Sequence, residues 1–193
     1  MDSIRDILNE RKKRIVSRSN SCIPLLNSQD PFSYAEQLFK DYTRSIAHVD
    51  QISIIDPYIT PLDLDNLSSL FGGSQKITLD IISKFDSSNA EDSVDETKIG
   101  KDDRKLLIQK RKEALLEQGV FRDILFTHSL EPMHDRYYIY WHENSLISAF
   151  SIGGSIAQRF GQYIGIIEVN DPYLLSSINQ LYTKLKNKTK EYL

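Results

Sequence analysis

Two short apolar, β-branched runs, "QISII" (51–55) and "KITLDII" (76–82), bracket a segment that holds both a helix start and a helix stop. Runs of this length and composition suit strands buried on both faces. Between them, Pro57 and Pro61 make "PYITP" a loop, Thr60 and Asp63 supply capping-box chemistry, and Gly72-Gly73 ends the helix. A strand, a helix and a second strand in that order constrain the chain to an α/β class.

The rest of the chain extends this pattern. "DPFSYAEQLFKDYTRSI" spaces Phe32, Ala35, Leu38, Phe39, Tyr42 and Ile46 as one helix face, after an Asp30 cap and Pro31 at the first helical position. "DRKLLIQKRKEALLEQG" is a charged helix with a stripe of Leu107, Ile108, Ala114 and Leu115, closed by Gly119. Strand-like runs follow at 120–128, 134–140 and 145–152, then "GGSIAQRFG" as a turn with a short helix, and "QYIGIIEV" as a further strand. "DPYLLSSINQLYTKLKNKTKEYL" reads as a terminal helix with Asp171 as cap and Pro172 at its start. The expected architecture is a mixed central sheet with helices on both faces.

We divide the chain into a basic N-terminal arm (1–28) and one domain (29–193). The arm holds the cluster Arg11, Lys12, Lys13 and Arg14, readable as a solvated helix face or as a dock for nucleic acid or a partner protein. Residues 84–103 are rich in Ser, Asp and Glu with little apolar content, and we expect a mobile acidic loop. The 193 residues carry a formal net charge of −3, so phosphate binding would need a local concentration of cations rather than a basic coat. No stretch approaches the ~18 apolar residues of a membrane span, and the charged start lacks the features of a signal peptide. The single Cys22 has no partner for a disulfide or a zinc site. These features predict a cytoplasmic protein that needs no membrane.

"MHDRYYIYW" (133–141) carries the chemistry. If it is a strand from its first residues, His134, Arg136, Tyr138 and Tyr140 share one face. A cationic neighbour disfavours protonation of the imidazole, which leaves a ring nitrogen free as nucleophile or base, while the guanidinium holds a phosphate oxygen. Downstream, Gly153 and Gly154 permit close backbone approach, and Ser155 stands at a helix start that favours an anion. The tyrosines are read as sheet packing and His128 as a half-buried structural residue.

The pieces "HDR" (134–136) and "GGS" (153–155), with the lead-in "IDPYI" (55–59), resemble the phospholipase D superfamily over about residues 50 to 170. In layout they are closest to the phospholipase D-like domain at the C-terminus of MIT-domain proteins and to bacterial "HDR" relatives. The resemblance implies a phospholipase D-like α/β sandwich. It also implies a metal-independent phosphodiesterase that needs no cofactor, in which His134 attacks phosphorus, Arg136 binds phosphate, and Gly153, Gly154, Ser155 and Gln158 line the pocket. With one motif per chain, a composite site requires a homodimer that contributes His134 twice. The implied substrate is nucleic acid rather than lipid, in a bacterial conflict or mobile-element system. Three positions depart from the family pattern: Arg136 for Lys, Trp141 for Asp and Gln158 for Asn. The alternative is therefore a catalytically inactive module that docks a partner protein or a phosphate-bearing ligand.

Overall fold

The computed structural model describes residues 22–24, 31–46, 48–72, 76–84, 101–153, 165–187 and 189–191. In chain order these form β1 (Cys22–Pro24), α1 (Pro31–Ser45), β2 (Gln51–Ile55), α2 (Asp63–Phe71), β3 (Thr78–Ser83) and α3 (Lys101–Glu117). There follow β4 (Asp123–Ser129), β5 (Tyr137–His142), β6 (Ser145–Ile152), β7 (Gly165–Val169), α4 (Pro172–Asn187) and β8 (Thr189–Glu191). All strands join one sheet in the order β1-β7-β6-β5-β2-β3-β4-β8. The triplet β2, β3, β4 is parallel, and every other pairing is antiparallel.

The parallel triplet follows from its connections. α2 and α3 each carry the chain back to the start of the next strand, as a parallel crossover requires. The β5–β6 pair needs only the two-residue turn Glu143-Asn144, with φ of 47° and 65°. That double left-handed turn matches the twist of a hairpin, and Asn at its second position tolerates the geometry.

Alternation along the strands divides the side chains between two layers. On one face Ile52, Ile54, Leu79, Ile81, Tyr138 and Tyr140 pack beneath helices α1, α2 and α3, with Phe39 of α1 at the centre of an aromatic cluster. Its ring lies 5.2 Å from Tyr138, 5.4 Å from Phe71 and 5.3 Å from Phe150. Ile55, Ile82, Ile139 and Trp141 point to the other face, where Ile178 and Leu185 of α4 cover them. The expected α/β architecture, with a mixed sheet and helices on both faces, is therefore observed.

Local chemistry sets the helix ends. Asp63 Oδ2 accepts from the Thr60 amide at 2.6 Å and the Thr60 hydroxyl at 2.8 Å, so the expected Thr60–Asp63 pair does fasten the start of α2. At its end, a Cβ on Gly72 would stand 2.2 Å from the Ser68 carbonyl oxygen and 2.6 Å from Val120 Cγ1, so only glycine fits. Asp171 Oδ1 accepts from the amides of Tyr173 and Leu174 and caps α4 as expected.

Three sequence expectations are corrected. α4 stops at Asn187, and residues 189–191 pair as a strand against β4 instead of continuing the helix. α3 begins at Lys101, so the end of the expected acidic loop is helical; residues 85–100 lie outside the described residues, as does most of the 1–28 arm. β5 begins at Tyr137, not His134, because the chain spends 130–136 crossing from the end of β4 to the far side of β2.

Candidate functional site

The parallel strands end at one edge of the sheet, and β2 has β3 on one side and antiparallel β5 on the other. The crevice beyond the carboxyl ends of such strands is where open α/β sheets hold ligands. Asp56 is the first residue past β2, at the end of an apolar run, and it has no exposed surface. Its Oδ1 accepts from the Tyr58 amide at 2.9 Å, and Oδ2 has no hydrogen-bond partner among the described residues. Burial pushes the Asp56 carboxyl up to about 6, against the Tyr58 amide and the Arg136 charge, which both lower it.

Arg136 immediately precedes β5, the strand that lies beside β2 and its Asp56 end. Its carbonyl accepts from the Ile152 amide at 3.0 Å, which fixes the backbone here although the strand proper begins one residue later. Nε lies 3.5 Å from Asp56 Oδ1, an ion pair without hydrogen-bond geometry, and the side chain keeps 18% of its surface exposed. The guanidinium carbon sits 5.1 Å from the centre of the Tyr58 ring, a cation–π arrangement on a ring that is 38% exposed. Below them the fully buried Tyr138 hydroxyl has no hydrogen-bond partner among the described residues. Burial first, then the neighbouring Asp56 and Asp63 charges, hold that hydroxyl well above the usual phenol range.

The sequence-predicted residues fare unevenly. His134 lies exposed in the 130–136 connection rather than on a strand face, so the expected His134–Arg136 pairing on β5 is not what this segment builds. Arg136 pairs instead with Asp56. Gly153 directly follows β6, where its amide donates to the Gly165 carbonyl at 2.8 Å. Gly154, Ser155 and Gln158, and the basic cluster Arg11, Lys12, Lys13 and Arg14, lie outside the described residues.

Comparison with known proteins corrects the family resemblance. No family model and no curated protein matches the chain. It is similar to a solved structure of TrmBL2, an archaeal chromatin protein described as showing a novel mode of DNA binding. That similarity runs at 9% identity and a TM-score of 0.44 over 97% of this chain and 65% of the other. Membership of the phospholipase D superfamily is therefore withdrawn. The physical reason lies in its motif, which is not built as a strand face here: His134 lies exposed in the connection before β5 and Arg136 pairs with Asp56.

Trp141, read as a departure from that family's Asp, has its own role. Its indole Nε1 donates to Ser53 Oγ at 2.9 Å on the α4 side of the sheet. Ser53 adjoins Asp80, whose carboxylate accepts from the Tyr182 hydroxyl at 2.7 Å and Lys186 Nζ at 2.9 Å. This buried network ties α4 to β2, β3 and β5. Among the described residues no helix is long and apolar enough to cross a membrane, and no group of three or more His, Cys, Asp or Glu side chains is placed to hold a metal.

Sequence reasoning missed Asp56, Tyr58 and Tyr138 as site residues. The available signal was an acidic residue directly after a buried strand and before Pro57, where a carboxylate must stand at the sheet's carboxyl edge.

Proposed function

We propose that the chain binds a phosphodiester ligand at the carboxyl edge of β2, with Arg136 contacting phosphate and the Tyr58 ring offering a stacking face to a base. The observation that supports this is the partly exposed Arg136 guanidinium held over the Tyr58 ring by a buried carboxylate at a strand edge that suits ligands. A planar guanidinium met at Nε and on one face still has N–H groups for a phosphate oxygen. Nucleic acid fits this pairing of charge and ring, in the cytoplasmic setting expected from the sequence.

Fluorescence anisotropy with a short single-stranded oligonucleotide tests the proposal. Arg136→Ala should weaken binding about tenfold or more, as loss of a charge-assisted contact does, with Arg136→Lys between it and the parent. Unchanged affinity in Arg136→Ala overturns it.

A catalytic version has its own support in the exposed His134, two residues from Arg136. It makes the protein a metal-independent phosphodiesterase whose site is completed by His134 of a second copy in a homodimer. EDTA-resistant cleavage lost in His134→Ala decides for it. Binding without cleavage decides for a module that docks its ligand or a partner protein.

A further inference from the structure

The first turns of α3 carry their polarity the wrong way round for a helix laid on a core. Residues 104–112, "RKLLIQKRK", hold five cations and no acid, in a chain whose net charge is −3. The helix meets the core through Ile108 and Leu115, which are buried. At 3.6 residues per turn, Arg104 and Lys105 fall within about 60° of Ile108, on the side that faces the body. Leu106 and Leu107 turn outward instead and are 52% and 38% exposed. A surface helix ordinarily keeps its apolar side in and its charge out.

The direction of α3 shows what those cations face. Five residues after the helix ends, the Arg122 amide donates to the Ile77 carbonyl at 2.8 Å, just before β3 starts. The helix therefore runs toward the amino edge of the sheet and begins at the carboxyl edge, where Arg136 and Tyr58 stand. Arg111 pairs with Asp65, in the first turn of α2, at 3.3 Å. Arg104 comes seven residues earlier and so lies about 10 Å further out along the axis. Arg104, Ile108, Arg111 and Leu115 follow the spacing i, i+4, i+7, i+11 of a single stripe. The side that buries Ile108 and Leu115 thus emerges at Arg104 over the carboxyl edge, and among the described residues Arg104 has no carboxylate within ion-pair distance. Across that edge Arg136 is followed by Tyr58 past the end of β2, by the exposed Leu62 at the start of α2, and by α3, which packs against α2 and β4.

We infer that the ligand of the Arg136 site is a single-stranded nucleic acid several nucleotides long, whose backbone leaves Arg136, crosses Tyr58 and the start of α2, and reaches Arg104 and Lys105 beneath the projecting turns of α3. This rests on Arg136 as a phosphate contact. β5 and β4 are three strand spacings apart, about 14 Å, so a mononucleotide held by Arg136 does not reach α3. A string of phosphates does, and it supplies the repeated negative charge that a neutral or singly charged partner lacks.

The test compares a thymidine dinucleotide, titrated by NMR, with a labelled twelve-nucleotide thymidine strand followed by anisotropy, both on the full chain. Arg136→Ala should weaken both probes about tenfold. Arg104→Glu should weaken the long strand at least about tenfold and the dinucleotide less than about twofold. Arg104→Lys, which keeps the charge, should retain most of the affinity. Arg104→Gln should lower the slope of log affinity against log salt by about 0.7, as loss of one phosphate contact on a single strand does. Lys110→Glu makes the same change of charge on the outward side of the helix and should cost the long strand less than about threefold. Long-strand affinity unchanged in Arg104→Glu, or lowered equally by Arg104→Glu and Lys110→Glu, overturns the inference and leaves the Arg136 reading in place. Equal loss of both probes in Arg104→Glu does the same. If neither probe responds to Arg136→Ala, both fall. Tighter binding to phosphatidylserine vesicles than to the long strand, lost in Leu106→Ser, assigns the edge to a lipid surface and also overturns the inference.

Discussion

Arg136 Nε lies 3.5 Å from Asp56 Oδ1, and the two partners differ in their access to water: the carboxylate is wholly buried while the guanidinium reaches solvent. Asp56 is held at the base of the site with a carboxyl that burial raises to about 6. An acid in that position resists ionisation, and several measurable consequences follow from it and from the packing around it.

Stability should depend on Asp56 in a defined direction. A carboxyl raised from 3.8 to about 6 binds its proton more tightly in the folded state. Its contribution is therefore most favourable below about pH 4, declines as pH rises to 6, and is level above. Two pH units correspond to about 3 kcal/mol. Asp56→Asn keeps an oxygen to accept the Tyr58 amide, so it should be more stable than the parent at pH 8 by up to that amount and nearly equal at pH 4. Urea unfolding at both pH values checks this; a variant less stable at pH 8 shows that the ion pair with Arg136 outweighs burial.

The same proton should govern the ligand. As pH falls through 6, Asp56 loses the charge that competes for Arg136, and affinity for a phosphodiester, whose own charge does not change in this range, should rise several-fold. His134 and Asp135 are exposed titratable residues beside Arg136 in the chain, so the measurement is repeated in His134→Gln and in Asp135→Asn. The rise should persist in both and vanish in Asp56→Asn. A rise that follows His134 or Asp135 instead assigns the effect to the loop.

Removing Asp80 should cost more than weakening it. Asp80→Ala removes a carboxylate that accepts from Lys186 and Tyr182 together, and breaking a buried charge network in this way costs about 3–5 kcal/mol. Asp80→Asn retains an acceptor and should cost about half as much. Trp141 is the protein's only tryptophan and its ring lies 4.8 Å from that of Tyr182, tilted by 48°, so its emission reports directly on this network during unfolding.

Two glycines should respond oppositely to alanine. Gly72→Ala drives a methyl into the Ser68 carbonyl and Val120, and overpacking of this kind costs about 1–3 kcal/mol or more. Gly165→Ala meets nothing within 4 Å and should shift the melting temperature little or upward. Thermal unfolding of the pair distinguishes a steric requirement from a preference.

Much of this architecture is legible in the residues because it rests on local periodicity. Six strand-like runs and four long helical segments announce themselves through β-branched alternation, proline starts and glycine stops. "RYYIYW" is rightly read as sheet packing, since Tyr138 and Tyr140 are fully buried. β8 is not legible: "TKE" has no strand composition and pairs only because β4 offers an edge. Spacing alone places the start of β5 at His134 rather than Tyr137, because it cannot show where a connection stops and a strand begins. The Asp56–Arg136 pair is beyond local reading altogether, since its members meet only when distant strands become neighbours.

That late meeting bears on how the protein is made. Ile55 pairs with Tyr137, about eighty residues further along, so a ribosome adding roughly 5–20 residues per second delivers β2 several seconds before its antiparallel neighbour exists. Throughout that interval β2 offers one bare, apolar edge, the kind that recruits stray strands from other chains. The strand that brings Arg136 to its carboxylate is also the strand that closes this edge, so the nascent chain's exposure to aggregation ends with the same event that assembles the site.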